Sequence, residues 1–387
     1  MKKTLAVILS GTMACALAAC SSTSTAPASS GDSTASGGTI KIDVAAPMTG
    51  DNSEYGIGYA NAVNLMAKQV NDQGGITVDG KKYTISVDAL DDKSNTDEAQ
   101  IVADKIVSDS SVIGVIGHFS SGVCMAAAPT YQNAGIIEIS PSASQKEYTS
   151  IGDYIFRNNS VISVETKAGA EMAVKDLKCK KVGILSIDTE WGQSTAKAMQ
   201  TNIESEGGTM ALQQEVSADA VDFQKEIANF QAAGVEAIMV AGEYGTLAPF
   251  AVACKNTGYN VKLIGCSNAY TDNLIKIAGD AANGIYCPVS FFAENTDDNI
   301  QKFVKAYKEA YGSSPSALTA QAYDSAGILI DAIKAANSID HEAVKQAIYK
   351  TDYKGVTGET TFNEIGDATK EFTKIMVKDG KFVPATF

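Results

Sequence analysis

Histidine is rare in this sequence of 387 residues, and its cysteines do not follow the spacing of a metal site. There are two histidines, His118 and His341, and no C-x-x-C pair occurs. A structural zinc site needs four closely arranged Cys or His ligands, so none is expected. P-loop, zincin and EF-hand spacings are absent as well. The sequence therefore predicts neither a metal nor a cofactor.

Catalytic motifs are also lacking. There is no G-x-S-x-G elbow, and the nucleophiles near His118 are limited to the serines that follow it in sequence. Gly56-Ile57-Gly58 lacks the third glycine of a dinucleotide fingerprint and lies well past the end of a predicted strand. These absences favour a protein that is not an enzyme.

Basic residues are outnumbered, with 31 Lys and Arg against 45 Asp and Glu, which gives a formal net charge of −14. Loss of Lys2 and Lys3 with a cleaved signal would make it −16. A nucleic-acid partner requires a basic stripe, so none is expected, and electrostatic adhesion to anionic lipids is disfavoured too. Beyond the N-terminus, no apolar run approaches the roughly 20 residues of a membrane-spanning helix.

The N-terminus has the features of an export signal. Lys2 and Lys3 precede an apolar stretch, 4–19, that is too short to span a membrane. It ends in Leu-Ala-Ala-Cys20, which resembles the bacterial lipobox, whose cysteine is lipidated and becomes the mature N-terminus. We therefore predict a signal peptide at 1–19 and a lipid on Cys20. The alternative is an ordinary signal peptide in which Cys20 is incidental.

A polar segment follows this cysteine. Residues 21–38 are almost entirely Ser, Thr, Ala and Gly, which bury too little apolar area to offset the entropy of ordering. We predict that 20–38 is the lipidated cysteine followed by a flexible linker. Removing 19 residues from 387 leaves 368, enough for two domains of ordinary size.

Short apolar runs alternate with amphipathic stretches in two successive blocks, beginning near residues 40 and 181. This pattern predicts an α/β fold with two doubly wound parallel sheets, each covered by helices on both faces. The tail departs from the alternation, with predicted helices at 298–311, 315–336 and 341–350 and a strand at 371–377.

Loops that follow strands are candidate binding loops, because ligands of open α/β sheets bind beyond the carboxyl ends of the strands. Ser120-Ser121-Gly122 begins a predicted helix, where free backbone N–H groups and the helix dipole favour an anion such as a carboxylate. The alternative is that a serine only caps this helix. The loop 140–144, after the neighbouring strand, adds a second cluster of hydroxyls.

Other loops of this kind carry aromatic and acidic residues. Tyr55 and Trp191 lie at strand–helix junctions, which favours pocket walls over core packing. Glu243 follows a strand and is placed to pair with a ligand ammonium, the alternative being a solvated loop charge.

Five cysteines remain beyond the signal and Cys20, at 124, 179, 254, 266 and 287. An odd number leaves at least one free thiol in an exported protein. Cys254 and Cys266 either bridge or remain separate core thiols, and the sequence does not decide between these alternatives.

Several landmarks occur in a specific order and spacing, among them Ala46-Pro47-Met48-Thr49-Gly50, Ile116-Gly117-His118, Ile139-Ser140-Pro141, Tyr154-Ile155-Phe156-Arg157, Trp191-Gly192 and Ala322-Tyr323-Asp324. Together they resemble the solute-binding proteins of branched-chain amino acid ABC transporters, the Leu/Ile/Val-binding protein family. The resemblance covers the chain from about Ile40 to Val377. It implies the type I periplasmic-binding fold, in which three crossovers join two lobes. Lobe 1 would comprise 39–157 with 293–361, and lobe 2 would comprise 158–292 with 362–387.

The resemblance also implies roles for individual residues. The ligand carboxylate would meet the amides and hydroxyl at Ser121 and the hydroxyl of Ser144, and the ammonium would meet the carbonyl of Ser142. Ser267 stands where branched-chain members place the glutamate that binds the ammonium, and Glu243 is expected to substitute from the adjacent loop. The predicted ligand-binding set is Tyr55, Ser121, Gly122, Ser142, Ala143, Ser144, Trp191, Glu243 and Ser267.

These observations predict an extracytoplasmic receptor, held at the outer face of the cell membrane by its lipid alone. Its two lobes would close on an amino acid, either branched-chain or another small one, and deliver it to an ABC permease. We expect a monomer with no nucleic-acid partner. The alternatives are a receptor for an amide, a short-chain acid or an aromatic acid, and a ligand-sensing subunit for a partner kinase.

Overall fold

The computed structural model describes residues 35–387, so the predicted signal peptide and the lipidated Cys20 lie outside the described residues. Within 35–387, none of the helices is both long enough and apolar enough to cross a membrane. Two large sheets and one small two-stranded sheet run through this part of the chain.

The first large sheet and its helices are built from β1 (Ala35–Ala46), α1 (Ser53–Asp72), β2 (Ile76–Val78), β3 (Lys81–Asp91), α2 (Thr96–Val107), β4 (Val112–Gly117), α3 (Ser121–Ala134), β5 (Ile137–Ser140) and β6 (Ile155–Arg157). The strand order is β2-β3-β1-β4-β5-β6, and the β2–β3 pair is antiparallel while the others are parallel. Every residue of β4 is buried, as expected for a strand covered on both faces. The loops after β4 and β5 therefore emerge side by side at one edge of the sheet.

Strand β1 begins earlier than the sequence pattern predicts. Ala35 and Ser36 pair with Lys81 and Lys82 at the start of β3. The predicted linker is therefore too long at its C-terminal end, because β3 extends far enough to provide these residues with backbone partners.

The second large sheet begins after α4 (Ile162–Glu171), and its elements are β7 (Lys181–Ile187), α5 (Glu190–Ser205), β8 (Thr209–Val216), α6 (Gln224–Ala233), β9 (Ala237–Ala241), α7 (Tyr244–Asn256), β10 (Lys262–Ile264), α8 (Asp272–Ala278) and β11 (Ile285–Val289). The sequence pattern predicts all of these except α4. The buried face of α4 consists of Ile162, Glu165, Thr166, Gly169 and Ala170, so it lacks the aliphatic stripe by which a helix is recognised.

The tail comprises α9 (Asp298–Tyr311), α10 (Ala317–Ala336), α11 (His341–Ile348), β12 (Tyr353–Gly355), β13 (Gly358–Thr360), β14 (Thr373–Lys378) and β15 (Lys381–Pro384). Helix α10 packs against α1 and β4, on the first sheet, whereas β14 and β15 extend the second sheet to the order β15-β14-β11-β10-β9-β7-β8. The chain thus passes between the two sheets three times. This arrangement confirms the predicted α/β fold class, and the lobe boundaries remain a prediction.

All five cysteines within 35–387 are buried free thiols. Cys254 and Cys266 are therefore not bridged, and each is a small apolar residue of the core.

Candidate ligand-binding site

A cavity lies between loops that follow strands of the two sheets. The volume of this cavity that the centre of a water molecule can reach is about 30 Å³. Six of the nine predicted ligand-binding residues line it, namely Ser121, Ser142, Ser144, Trp191, Glu243 and Ser267. The fold therefore brings together residues that are up to about 146 positions apart in the sequence.

The other three predicted residues do not line the cavity. The Tyr55 ring stacks on Phe119, a lining residue, with 4.3 Å between ring centroids. The Tyr55 hydroxyl donates a hydrogen bond to the Asn268 carbonyl at 2.9 Å, which links the two lobes. Gly122 belongs to the first turn of α3, and Ala143 is fully buried. Tyr55 therefore supports the wall through Phe119, and the roles of all three residues toward a ligand remain predictions.

The lobe 1 wall presents hydrogen-bond donors. Ser120 occupies the N-cap position of α3, but its side chain makes no capping bond. The N–H groups of the first turn have no acceptor within the helix, and the helix dipole favours negative charge there. The Ser121 hydroxyl oxygen accepts the Ser144 N–H at 3.1 Å, so the hydroxyl proton of Ser121 is available to a ligand. This wall suits a carboxylate.

The loop that carries Ser142 and Ser144 is fixed by Arg157, the one arginine in the sequence. The Arg157 side chain is completely buried. Its guanidinium donates to the carbonyl oxygens of Gln145 and Lys146 at 2.6 and 3.3 Å and pairs with Asp367, from the third crossover. Arg157 thus connects the binding loop to a segment that joins the lobes.

Direct side-chain contacts hold the lobes together across the cavity. The Trp191 indole N–H, from lobe 2, donates to the Ser144 hydroxyl at 3.1 Å. A second contact joins Asn273 to Glu54, whose carboxylate accepts a hydrogen bond from the Asn273 amide at 2.7 Å. The structure therefore shows the lobes in direct contact.

The lobe 2 wall presents hydrogen-bond acceptors. Glu243 is the N-cap residue of α7, and its side chain makes no capping bond. Burial raises the pKa of the Glu243 carboxyl above its ordinary value. No ion pair to Glu243 occurs within 35–387, and the lining contains no Lys, Arg or His. A ligand ammonium would supply the missing positive charge.

The predicted ligand-binding set omits several lining residues, including Phe119, Asn159, Glu165, Asn268 and Leu318. Glu165 is the most consequential because it adds a second carboxylate. It is 5% exposed, and its Oε1 accepts the Ser267 N–H at 2.5 Å. Burial raises the pKa of the Glu165 carboxyl, and the hydrogen bond from Ser267 opposes that rise. The position of Glu165 in the sequence, just after the first passage of the chain between the two sheets, indicates a role in the cavity. This indication depends on recognising helix α4 in the sequence.

Comparisons with known proteins agree with this geometry. A family model for periplasmic binding proteins matches residues 39–381. The Leu/Ile/Val-binding protein homolog 1 of Brucella abortus (strain 2308) is 30% identical over 331 residues, 85% of this chain and 87% of that protein. The leucine-, isoleucine-, valine-, threonine-, and alanine-binding protein of Pseudomonas aeruginosa is 27% identical over the same shares of the two chains.

A solved structure is similar as well. It is the branched-chain amino acid transporter substrate binding protein LivJ of Streptococcus pneumoniae, in complex with isoleucine. The TM-score is 0.82 at 28% identity, and the match covers 89% of this chain and 97% of that one. The likeness confirms the type I periplasmic-binding fold, and the family implies a location outside the cytoplasm. With its two sheets, its three crossovers and a cavity between the lobes, the chain belongs to the periplasmic binding protein family.

Proposed function

We propose that this protein binds an α-amino acid between its lobes and delivers it to the permease of an ABC transporter. The observation that carries the proposal is the division of polar groups across the cavity. Lobe 1 offers the hydroxyls of Ser121 and Ser144 and the N-terminus of α3, whereas lobe 2 offers the carboxylate of Glu243. A zwitterion fits this division in one orientation, with its carboxylate on lobe 1 and its ammonium on lobe 2.

The distribution of donors and acceptors across the cavity also favours an amino acid over the alternative ligands. An amide, a short-chain acid or an aromatic acid has no ammonium, so it would leave the half-buried Glu243 carboxylate without a positive partner. Removing a charge from water without pairing it is unfavourable. The names of the similar proteins, which refer to leucine, isoleucine and valine, point to the same class of ligand.

Binding would be coupled to closure of the lobes. A ligand that contacts both walls has more contacts in the closed state than in the open state, and it therefore shifts the population toward closure. The Trp191–Ser144 and Tyr55–Asn268 hydrogen bonds cross the cleft and would form with each closure. The three crossovers would act as the hinge.

Titration calorimetry with matched compounds tests the proposal. We expect valine or a related amino acid to bind, and we expect 3-methylbutanoate, which lacks the ammonium, and 2-methylpropylamine, which lacks the carboxylate, to bind at least tenfold more weakly, a difference of about 1.4 kcal/mol. Trp191 is the one tryptophan of the chain, so its fluorescence provides a second readout of closure. Binding of 3-methylbutanoate as tight as that of valine would contradict an amino-acid function.

We also propose that a lipid on Cys20 anchors the protein to the outer face of the membrane. The lipobox-like sequence supports this proposal, as does the need of a binding protein to remain near its permease. Cys20→Ser in the full-length protein is expected to move most of it from the membrane fraction to the soluble fraction, measured by fractionation and immunoblotting. Cys179→Ser, at a buried free thiol, is the matched control and should remain with the membranes. Unchanged membrane association of Cys20→Ser would refute the anchor.

A further inference from the structure

The lobe 2 wall holds more acceptors than one α-ammonium requires. Glu165 and Glu243 both line the cavity, and Asn268 lines it as well. Asn268 is 8% exposed, and its side-chain oxygen Oδ1 has no hydrogen-bond partner within the described chain. An unpaired buried acceptor is costly and usually marks a place where a further donor binds.

The two carboxylates are separate acceptors. Glu165 extends from α4 and its carboxylate accepts the Ser267 N–H, whereas Glu243 is the N-cap residue of α7 and its side chain makes no capping bond. The two carboxyls therefore belong to different helical elements, and only that of Glu165 accepts the Ser267 N–H.

No protein cation balances this charge. Among residues 35–387, neither Glu165 nor Glu243 forms an ion pair, and no basic residue lines the cavity. The single positive charge of an α-ammonium balances the charge of one carboxylate. A donor on another part of the ligand would serve the second carboxyl together with the unpaired Asn268 Oδ1.

We infer that the bound amino acid carries a second hydrogen-bond donor on its side chain, a hydroxyl, an amide or an amine, and that Glu165 and Asn268 accept it. This inference rests on the proposed amino-acid function and narrows its ligand class. Glu243 receives the α-ammonium, since its carboxyl takes a hydrogen bond from its own backbone alone. The Glu165 carboxylate already accepts the Ser267 N–H, and its remaining acceptor sites are sufficient for one donor on the ligand side chain.

Pairs of amino acids that differ in this donor test the inference. Threonine and valine are nearly isosteric, as are asparagine and leucine, and 2,4-diaminobutyrate and norvaline. Titration calorimetry of the wild-type protein is expected to show, in at least one pair, that the donor-bearing member binds tenfold or more tightly. A site built for a polar group discriminates strongly against an analogue that lacks it. Equal or tighter binding of the aliphatic member in all three pairs would overturn the inference while leaving the amino-acid function intact, whereas failure of every amino acid to bind would overturn both.

Two variants test which carboxylate accepts the hydrogen bond from the side-chain donor of the ligand. In Glu165→Gln, one amide oxygen remains for the Ser267 N–H, and the other position becomes a donor that repels a donor on the ligand. We expect the preference within the pair to fall below about threefold, with the aliphatic member bound as in the wild type. In Glu243→Gln, we expect both members to lose affinity by a similar factor and the preference to remain. An equal loss for both members in Glu165→Gln would refute the assignment, and thermal melting of both variants establishes that they are folded.

Discussion

Replacing Glu243 by glutamine is expected to weaken binding of the preferred amino acid at least tenfold, equivalent to about 1.4 kcal/mol. The carboxylate has no cation partner within residues 35–387, so the ligand ammonium would be its counterion. Glutamine has almost the same shape but no charge, and a hydrogen bond between charged groups is stronger than a neutral one. Titration calorimetry on the two proteins measures the difference.

Glu190→Gln provides a matched control for this loss. Glu190 is an exposed carboxylate at the start of α5, close to Gly122 across the cleft, but it does not line the cavity. The substitution removes the same charge from the same region of the protein. A comparable loss of affinity in both variants would indicate a general electrostatic effect, and the specific role of Glu243 would be rejected.

The same variant has a characteristic pH dependence. Burial raises the pKa of Glu243 above 4.5, so the carboxyl becomes protonated at a higher pH than an exposed glutamate. The ionised form binds the ammonium, so wild-type affinity should fall as the pH drops from neutral through this raised pKa. Glu243→Gln should show a weaker decline, and what remains of it belongs to Glu165, whose pKa is also raised. Equal slopes in the two proteins would contradict the assignment.

Replacing Arg157 by methionine is expected to lower the free energy of unfolding by about 3–5 kcal/mol, the usual cost of removing one partner of a buried ion pair. The Arg157 side chain is fully buried and the Asp367 side chain is 14% exposed. The loss also leaves the carbonyl oxygens of Gln145 and Lys146 without their donor. Urea denaturation followed by circular dichroism measures the change.

Two further variants separate this ion pair from a general loss of charge. Lys334→Met removes an exposed cation that pairs with Asp331, and such surface pairs contribute at most about 1 kcal/mol. Arg157→Met combined with Asp367→Asn should cost less than the sum of the two single changes, because the double variant leaves no unpaired charge. A destabilisation by Arg157→Met no larger than that by Lys334→Met would show that the buried network contributes little.

Arg157 also illustrates what the sequence pattern could and could not predict. The landmark Tyr154-Ile155-Phe156-Arg157 and the hydroxyl-rich loop at 140–144 are visible in the sequence because both are short local segments. The connection between them is not visible, since it depends on where a long guanidinium reaches once the chain has folded. Arg157 reaches Asp367, 210 residues further along the chain.

Helix α4 shows a different limit. Its buried face includes Glu165, Thr166 and Gly169, and a helix with such a face has no hydrophobic periodicity to detect. Helix α5, in contrast, carries buried Ala196, Met199 and Ile203 at helical spacing. The polar face of α4 is tolerated because Glu165 receives the Ser267 N–H and faces the cavity.

The sequence by itself determined the two-sheet α/β fold and the loops that form the cavity, because hydrophobic periodicity and turn residues act over a few neighbouring positions. It also supplied Ser121, Ser144, Trp191 and Glu243 as lining residues, since each follows a recognisable strand. Only the tertiary structure decided that the Tyr55 ring stacks on Phe119 and that Glu165 lines the cavity. The physical reason is that these placements depend on packing between segments far apart in the chain, such as Glu165 and Ser267, which are 102 residues apart and meet through a hydrogen bond.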